Sequence, residues 1–173
     1  MICIDLEEFA ASGMFGPFDC GSTRQMIEQI LGPSDSSDYP DFMTYGHVNF
    51  DLASTTGPPC RIQVDFPHPA NLRRSGEDQM MEEPRGVFSD WPERRFEWRL
   101  GRFKPGLTLN DALAAFDLCV EEPWTSPDDE RCVLCIRKSP VWLHFENDGG
   151  LGLHTLSSMV AHPTVRNACE FRD

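Results

Sequence analysis

The sequence predicts an α+β protein built from two tandem repeats, each with helices packed on one face of an antiparallel β-sheet. Three observations carry that expectation: an internal similarity at a spacing of 85 residues, a capped amphipathic helix after each copy of it, and alternating strand pairs after each helix. The similarity relates Phe15–Leu31 to Leu100–Phe116. Without a gap, Gly16, Phe18, Gly21 and Thr23 coincide with Gly101, Phe103, Gly106 and Thr108.

In each copy the Gly-x-Phe-x-x-Gly stretch runs into a threonine placed to cap a helix, its hydroxyl accepting from a free backbone N–H of the first turn. Asp111, three residues after Thr108, puts a carboxylate near the positive end of the second helix. Met26, Ile27, Ile30 and Leu31 make an apolar stripe on the first helix, and Leu109, Ala112, Leu113 and Phe116 make one on the second. Gly32-Pro33 stops the first helix and Glu122-Pro123 follows the second. A further short helix is expected around Asp5–Ala11.

Strands come next. His47–Leu52 and Arg61–Phe66 alternate around a turn containing Gly57-Pro58-Pro59. Val141–Glu146 and Leu151–Leu156 alternate around Asn147-Asp148-Gly149-Gly150, residues that tolerate positive φ. Val48-Asn49-Phe50-Asp51 superposes on Leu143-His144-Phe145-Glu146. Alternation sends Val48, Phe50, Leu52, Ile62, Val64, Phe66, Val141, Leu143, Phe145, Leu151 and Leu153 inward. His47, Asn49, Asp51, Arg61, Gln63, Asp65, Trp142, His144, Glu146 and His154 then face away. The repeats are 1–70 and 93–173, joined by a polar linker or loop at 71–92. Glu93–Leu100 reads as a strand that returns to the first sheet or bridges the two.

Charge and composition narrow the function. The 173 residues are 40% apolar and 10% aromatic, enough for a packed core. The net charge is −13, which disfavours nucleic acid as a partner. Residues 1–60 hold nine acidic residues against one basic, Arg24, a net of −8. Residues 61–105 are near neutral at +1, and 106–173 carry −6. A partner with a basic surface would be steered toward such ends. No run approaches the ~20 apolar residues of a membrane span, and Met1–Glu8 lacks the basic and apolar segments of a secretory signal. With seven cysteines, an odd number, we expect reduced thiols and a cytoplasmic location. Cys132-Val133-Leu134-Cys135 is expected on a strand, where residues three apart point to opposite faces, a poor geometry for one metal.

Catalytic motifs are missing: there is no GxGxxG, P-loop, HExxH or GxSxG. Glu82-Glu83, Glu121-Glu122 and Asp128-Asp129 fall in expected loops, unsuited to a rigid acid/base pair. No cofactor or metal is expected. Candidate partner-binding residues are the acidic loop Asp35, Asp38, Tyr39 and Asp41; the outward His47, Asn49, Asp51, His144, Glu146 and His154; and two tryptophans, Trp124 on a loop and Trp142 on a strand.

The order of glycine- and threonine-led helix, strand, turn and strand, made twice over residues 5–66 and 98–158, resembles the β-lactamase inhibitory protein architecture. That resemblance implies tandem helix-and-sheet units whose concave sheet surface grips an enzyme. Those inhibitors are secreted and disulfide-bonded, so the expected cytoplasmic location sets this chain apart. Phe15-Gly16-Pro17-Phe18, Gly21-Ser22-Thr23, Ile30-Leu31-Gly32-Pro33 and Tyr45-Gly46-His47-Val48-Asn49-Phe50 are also similar to bacterial proteins of the toxin-immunity kind. The expected function is a non-catalytic inhibitor, an immunity protein that neutralises a cognate toxin or enzyme with a basic surface. The alternatives are an adaptor or small-ligand module, and a metal-dependent hydrolase using His144, His154 and Glu146.

Overall fold

The computed structural model describes residues 1–35, 41–53, 59–66, 95–104, 106–116, 118–119, 131–137, 139–147 and 154–162. The elements run β1 (Ile2–Asp5), α1 (Leu6–Ser12), α2 (Arg24–Leu31), β2 (Phe42–Tyr45), β3 (Val48–Leu52), β4 (Pro59–Asp65), β5 (Phe96–Arg99), α3 (Leu109–Ala115), β6 (Leu118–Cys119), β7 (Arg131–Ile136), β8 (Val141–Asn147) and β9 (His154–Ala161). The class is α+β, with a mostly antiparallel sheet and three helices among the described residues.

Alternation produces the strands expected at Val48–Leu52, Pro59–Asp65 and Val141–Asn147, whereas the strand expected at Leu151–Leu156 runs over His154–Ala161. Val48, Phe50, Leu52, Ile62, Val64, Phe66, Val141, Leu143 and Phe145 are all buried in one core. Leu151 and Leu153 lie outside the described residues. Both hairpins enter a single seven-stranded antiparallel sheet, ordered β2-β3-β4-β9-β8-β7-β6. The join is the antiparallel pair β4–β9, with Ile62 opposite Ala161, Val64 opposite Met159 and Asp65 opposite Ser158. Beyond the end of β4 the same edge of β9 is taken up by the residues before α3: Leu156 N–H donates to Leu107 C=O at 2.8 Å.

Thr23 and Thr108 do cap their helices. Thr23 Oγ1 accepts from the N–H of Met26 at 3.2 Å, and Thr108 Oγ1 from that of Asp111 at 3.1 Å. The apolar stripes are narrower than the spacing predicts. Ile27 and Leu31 are buried, but Met26 and Ile30 are about half exposed; on α3 Ala112 is buried and Leu113 is exposed. Each helix is about two turns long and rests on the sheet by one i, i+4 ridge or less, so the flanking apolar residues meet solvent.

The expected first helix is α1, capped by Asp5, whose carboxylate accepts from the N–H groups of Glu7 and Glu8. It reaches across the chain to the second hairpin. Ser139 Oγ donates to Ala10 C=O, and Gly13, at φ +76° past the end of α1, lies under the Pro140 ring. Glu7 accepts from the backbone N–H, Nε and Nη2 of Arg102, and these bonds draw its carboxyl below the usual range. Arg102 also lies over the Phe116 ring at 4.4 Å.

Phe96–Arg99 is a strand, but it joins neither hairpin. It pairs in parallel with Ile2–Asp5 to form a separate two-stranded ribbon. Phe15 knits ribbon, helix and sheet together through edge contacts with Phe9 (5.6 Å), Phe50 (6.2 Å), Phe96 (5.6 Å) and Trp98 (5.9 Å). One hydrophobic core therefore draws on both ends of the described chain.

Candidate functional site

The helices cover one side of the sheet. The opposite side is lined by the alternate residues: Asn49 and Asp51 on β3, Arg61, Gln63 and Asp65 on β4, Ser158 and Val160 on β9, and Trp142, His144 and Glu146 on β8. Cross-strand register assembles them into rows. One row reads Asn49, Gln63, Val160, Trp142 and Cys135; another reads Asp65, Ser158, His144 and Val133. The face is half-buried rather than bare. Val160 and Ser158 at its centre are buried, and the flanking side chains are intermediate.

Polar contacts organise the β3–β4 part of the face. Asp51 Oδ2 pairs with Arg61 Nη2. Asp65 accepts from two amides, Asn49 Nδ2 at 2.8 Å and Gln63 Nε2 at 2.5 Å. On the β8 side, the ring of Trp142 packs against His162 with centroids 5.5 Å apart. His162 follows β9 by one residue, and burial and the Arg61 charge hold its pKa below the ordinary imidazole value against the pull of Asp51. His47 is likewise lowered by burial, more than Asp65 raises it. Asp51 Oδ1, Arg61 Nε and Trp142 Nε1 are enclosed without a hydrogen-bond partner.

The expected site residues fall into five groups. Asn49, Asp51, Trp142, His144 and Glu146 share this face, as alternation predicts. His47 does not sit on a strand; it lies in the Gly46-His47 turn between β2 and β3. His154 pairs with Asn147, whereas Thr155 takes the place opposite Glu146. A register shift at His144/Phe145 moves the phase of β9 by one residue, so alternation assigns His154 to the side away from Glu146. Asp35 and Asp41 belong to a separate edge beside β2. The Asp35 carboxylate accepts from Gly46 N–H at 2.9 Å and from Arg95 Nη1 at 2.8 Å, so it is engaged within the molecule. Asp38, Tyr39 and Trp124 lie outside the described residues.

No group of three or more His, Cys, Asp or Glu side chains placed to hold a metal occurs among the described residues. Cys132 is buried on the helix side of β7, and Cys135 is half-buried on the other, as a strand-borne CxxC requires. None of the described helices is long and apolar enough to cross a membrane. Arg61, Gln63, Asp65 and His162 were not among the expected site residues. The signal for Arg61, Gln63 and Asp65 was present in the outward phase of Arg61–Phe66, but their grouping with His162 depends on which strands pair. No protein-family model matches the chain, and searches of curated proteins and of solved structures also return no match.

Proposed function

We propose that this chain is a non-catalytic inhibitor of the immunity-protein kind, which docks a protein with a basic surface on the sheet face opposite the helices. One observation carries the proposal: that face joins an aromatic anchor, Trp142, to ordered polar groups within one continuous sheet, the composition of protein-binding centres. The net charge of −13 adds electrostatic steering toward a basic partner.

The proposal includes an origin by duplication. Gly16 and Gly101 both adopt left-handed φ, +58° and +55°; Phe18 and Phe103 are both fully buried; Thr23 and Thr108 cap equivalent helices. The hairpins correspond at an offset of 95 residues at Val48 and Leu143, Phe50 and Phe145, and Val64 and Met159, although the bulge falls at Asp51/Leu52 in the first and at His144/Phe145 in the second. Their closing pairs, Leu52 with Pro59 and Asn147 with His154, keep the same offset. Val64 and Met159 are themselves partners, so the same offset carries the Gln63–Val160 pair onto the Asp65–Ser158 pair. Two copies related in this way build one broad docking face.

Co-expression with toxins encoded beside the gene tests the function. The expected result is restored growth and a stable complex with one of them. If each such toxin remains lethal and unbound, the proposal fails.

A further inference from the structure

The central carboxylate of the outer face has an arrangement that its neighbours lack. Among the described carboxylates, Glu7, Glu28, Asp35 and Asp51 each pair with an arginine. Asp5 and Asp111 serve helix N-termini. Asp19 closes a turn with Ser22. Asp65 does none of these. It is half-buried on β4, next to the centre of the seven-stranded sheet, and among the described residues its carboxylate accepts from two neutral amides, one on each oxygen. A carboxylate has about four acceptor positions, so this clamp fixes the plane of the group and leaves one position on each oxygen.

Among the described residues no arginine or lysine pairs with Asp65. Arg61 is committed to Asp51. At His47 burial disfavours the charged imidazole more than the nearby Asp65 favours it. A planar carboxylate held by amides, with both oxygens still able to accept, matches the fork of a guanidinium, which donates two parallel N–H bonds.

We infer that the Asn49–Gln63–Asp65 trio is the receptor for one arginine side chain of the protein partner. This rests on the docking role proposed above and narrows it to one contact. The amides orient the carboxylate before the partner arrives, so less side-chain freedom is lost on binding.

The test uses the full chain, labelled with nitrogen-15, titrated with N-acetyl-arginine methylamide and, separately, with the lysine and leucine analogues. The side-chain amide resonances of Asn49 and Gln63 are followed. The expected result is a saturable shift of both amides with the arginine compound at millimolar concentration, several-fold weaker binding of lysine, and no binding of leucine. Asp65→Asn should weaken the arginine effect by about tenfold or more, whereas Glu97→Gln, on the exposed side of β5, should leave it unchanged. If Asp65→Asn does not fold, the double variant Asn49→Ser/Gln63→Ser frees the clamp while keeping the carboxylate, and it too should weaken binding. Shifts that do not saturate, or that persist unchanged in these variants, overturn the inference. Saturable binding at Asp65 in a chain that neutralises no toxin would retain the arginine receptor and remove the inhibitor role. A neutralised toxin bound equally well by Asp65→Asn would do the reverse.

Discussion

Raising the pH should destabilise this protein through Tyr45. The Tyr45 ring is buried against Phe50 at 6.0 Å, its hydroxyl donates to Gly32 C=O at 2.9 Å, and Arg95 lies over its face at 5.0 Å. Burial pushes the phenol from 10 up to about 12, with the Glu28 charge adding to the rise and Arg95 opposing it. The native state thus holds its proton more tightly than the unfolded state does. That preference stabilises the fold in full below pH 10 and is lost as the pH rises toward 12. Two units correspond to about 2.7 kcal/mol in total, of which roughly 2 kcal/mol is gone by about pH 11.5. Urea unfolding of the wild type and of Tyr45→Phe, at pH 9 and about pH 11.5, isolates this contribution. At pH 9 the variant should lose about 1 kcal/mol for the missing hydrogen bond. Between the two pH values its stability should fall by roughly 2 kcal/mol less than the wild type's. The chain has two tyrosines, so the ultraviolet phenolate signal should also show one phenol of the native protein ionising late. Equal alkaline slopes for the two proteins, or joint ionisation of both phenols near pH 10, would refute the reasoning.

Other perturbations probe the core, the helix seat, the acid limb and the proposed docking face. Phe50→Ala removes a fully buried ring enclosed by Phe15, Phe18 and Tyr45 and should cost about 3–5 kcal/mol in denaturant unfolding; a loss under about 1 kcal/mol contradicts that packing. Gly106→Ala, at φ +79° with open space around it, should cost about 1 kcal/mol from backbone strain. Gly13→Ala has similar φ but sets a methyl 2.6 Å from Pro140 Cγ, and should cost at least about 1 kcal/mol more; equal costs would unseat α1 from Pro140. Burial depresses the pKa of His47 and His162, so the unfolded chain binds their protons first as the pH falls through 6.5. Stability should therefore decline from there downward, and His162→Gln should flatten the decline in thermal melts across pH 5 to 7. Trp142→Ala should weaken partner binding by about 2 kcal/mol or more in calorimetry; unchanged affinity would move the docking centre away from β8.

What could be read in advance was what local chemistry determines. Val48–Leu52 and Val141–Asn147 declare themselves through alternation, Thr23 and Thr108 through their place before an apolar stripe, and Cys132/Cys135 through strand spacing. Long-range pairing left no such mark. Ile2–Asp5 is four residues long and finds its partner at Phe96–Arg99, so neither stretch identifies the other. Alternation in Arg61–Phe66 states which residues face the helices, but not that β9 will lie alongside. The clamp on Asp65 was hidden for the same reason. Gln63 and Asp65 share a face by their spacing, whereas Asn49 reaches them only through the β3–β4 register. The register shift in β8–β9 reverses the side expected for His154, which alternation alone puts on the outward face with His144 and Glu146.

The seating of α1 on the Ser139–Pro140 turn bears on how the molecule is made. A ribosome releases α1 early, yet its landing place is synthesised more than a hundred residues later. Until then Leu6, Phe9 and Ala10 have no finished surface to cover. Such distant partnerships slow folding and prolong the exposure of apolar side chains. The nascent chain should therefore depend on chaperones until its last strands emerge, and a truncation before β8 should yield aggregate rather than a smaller working protein.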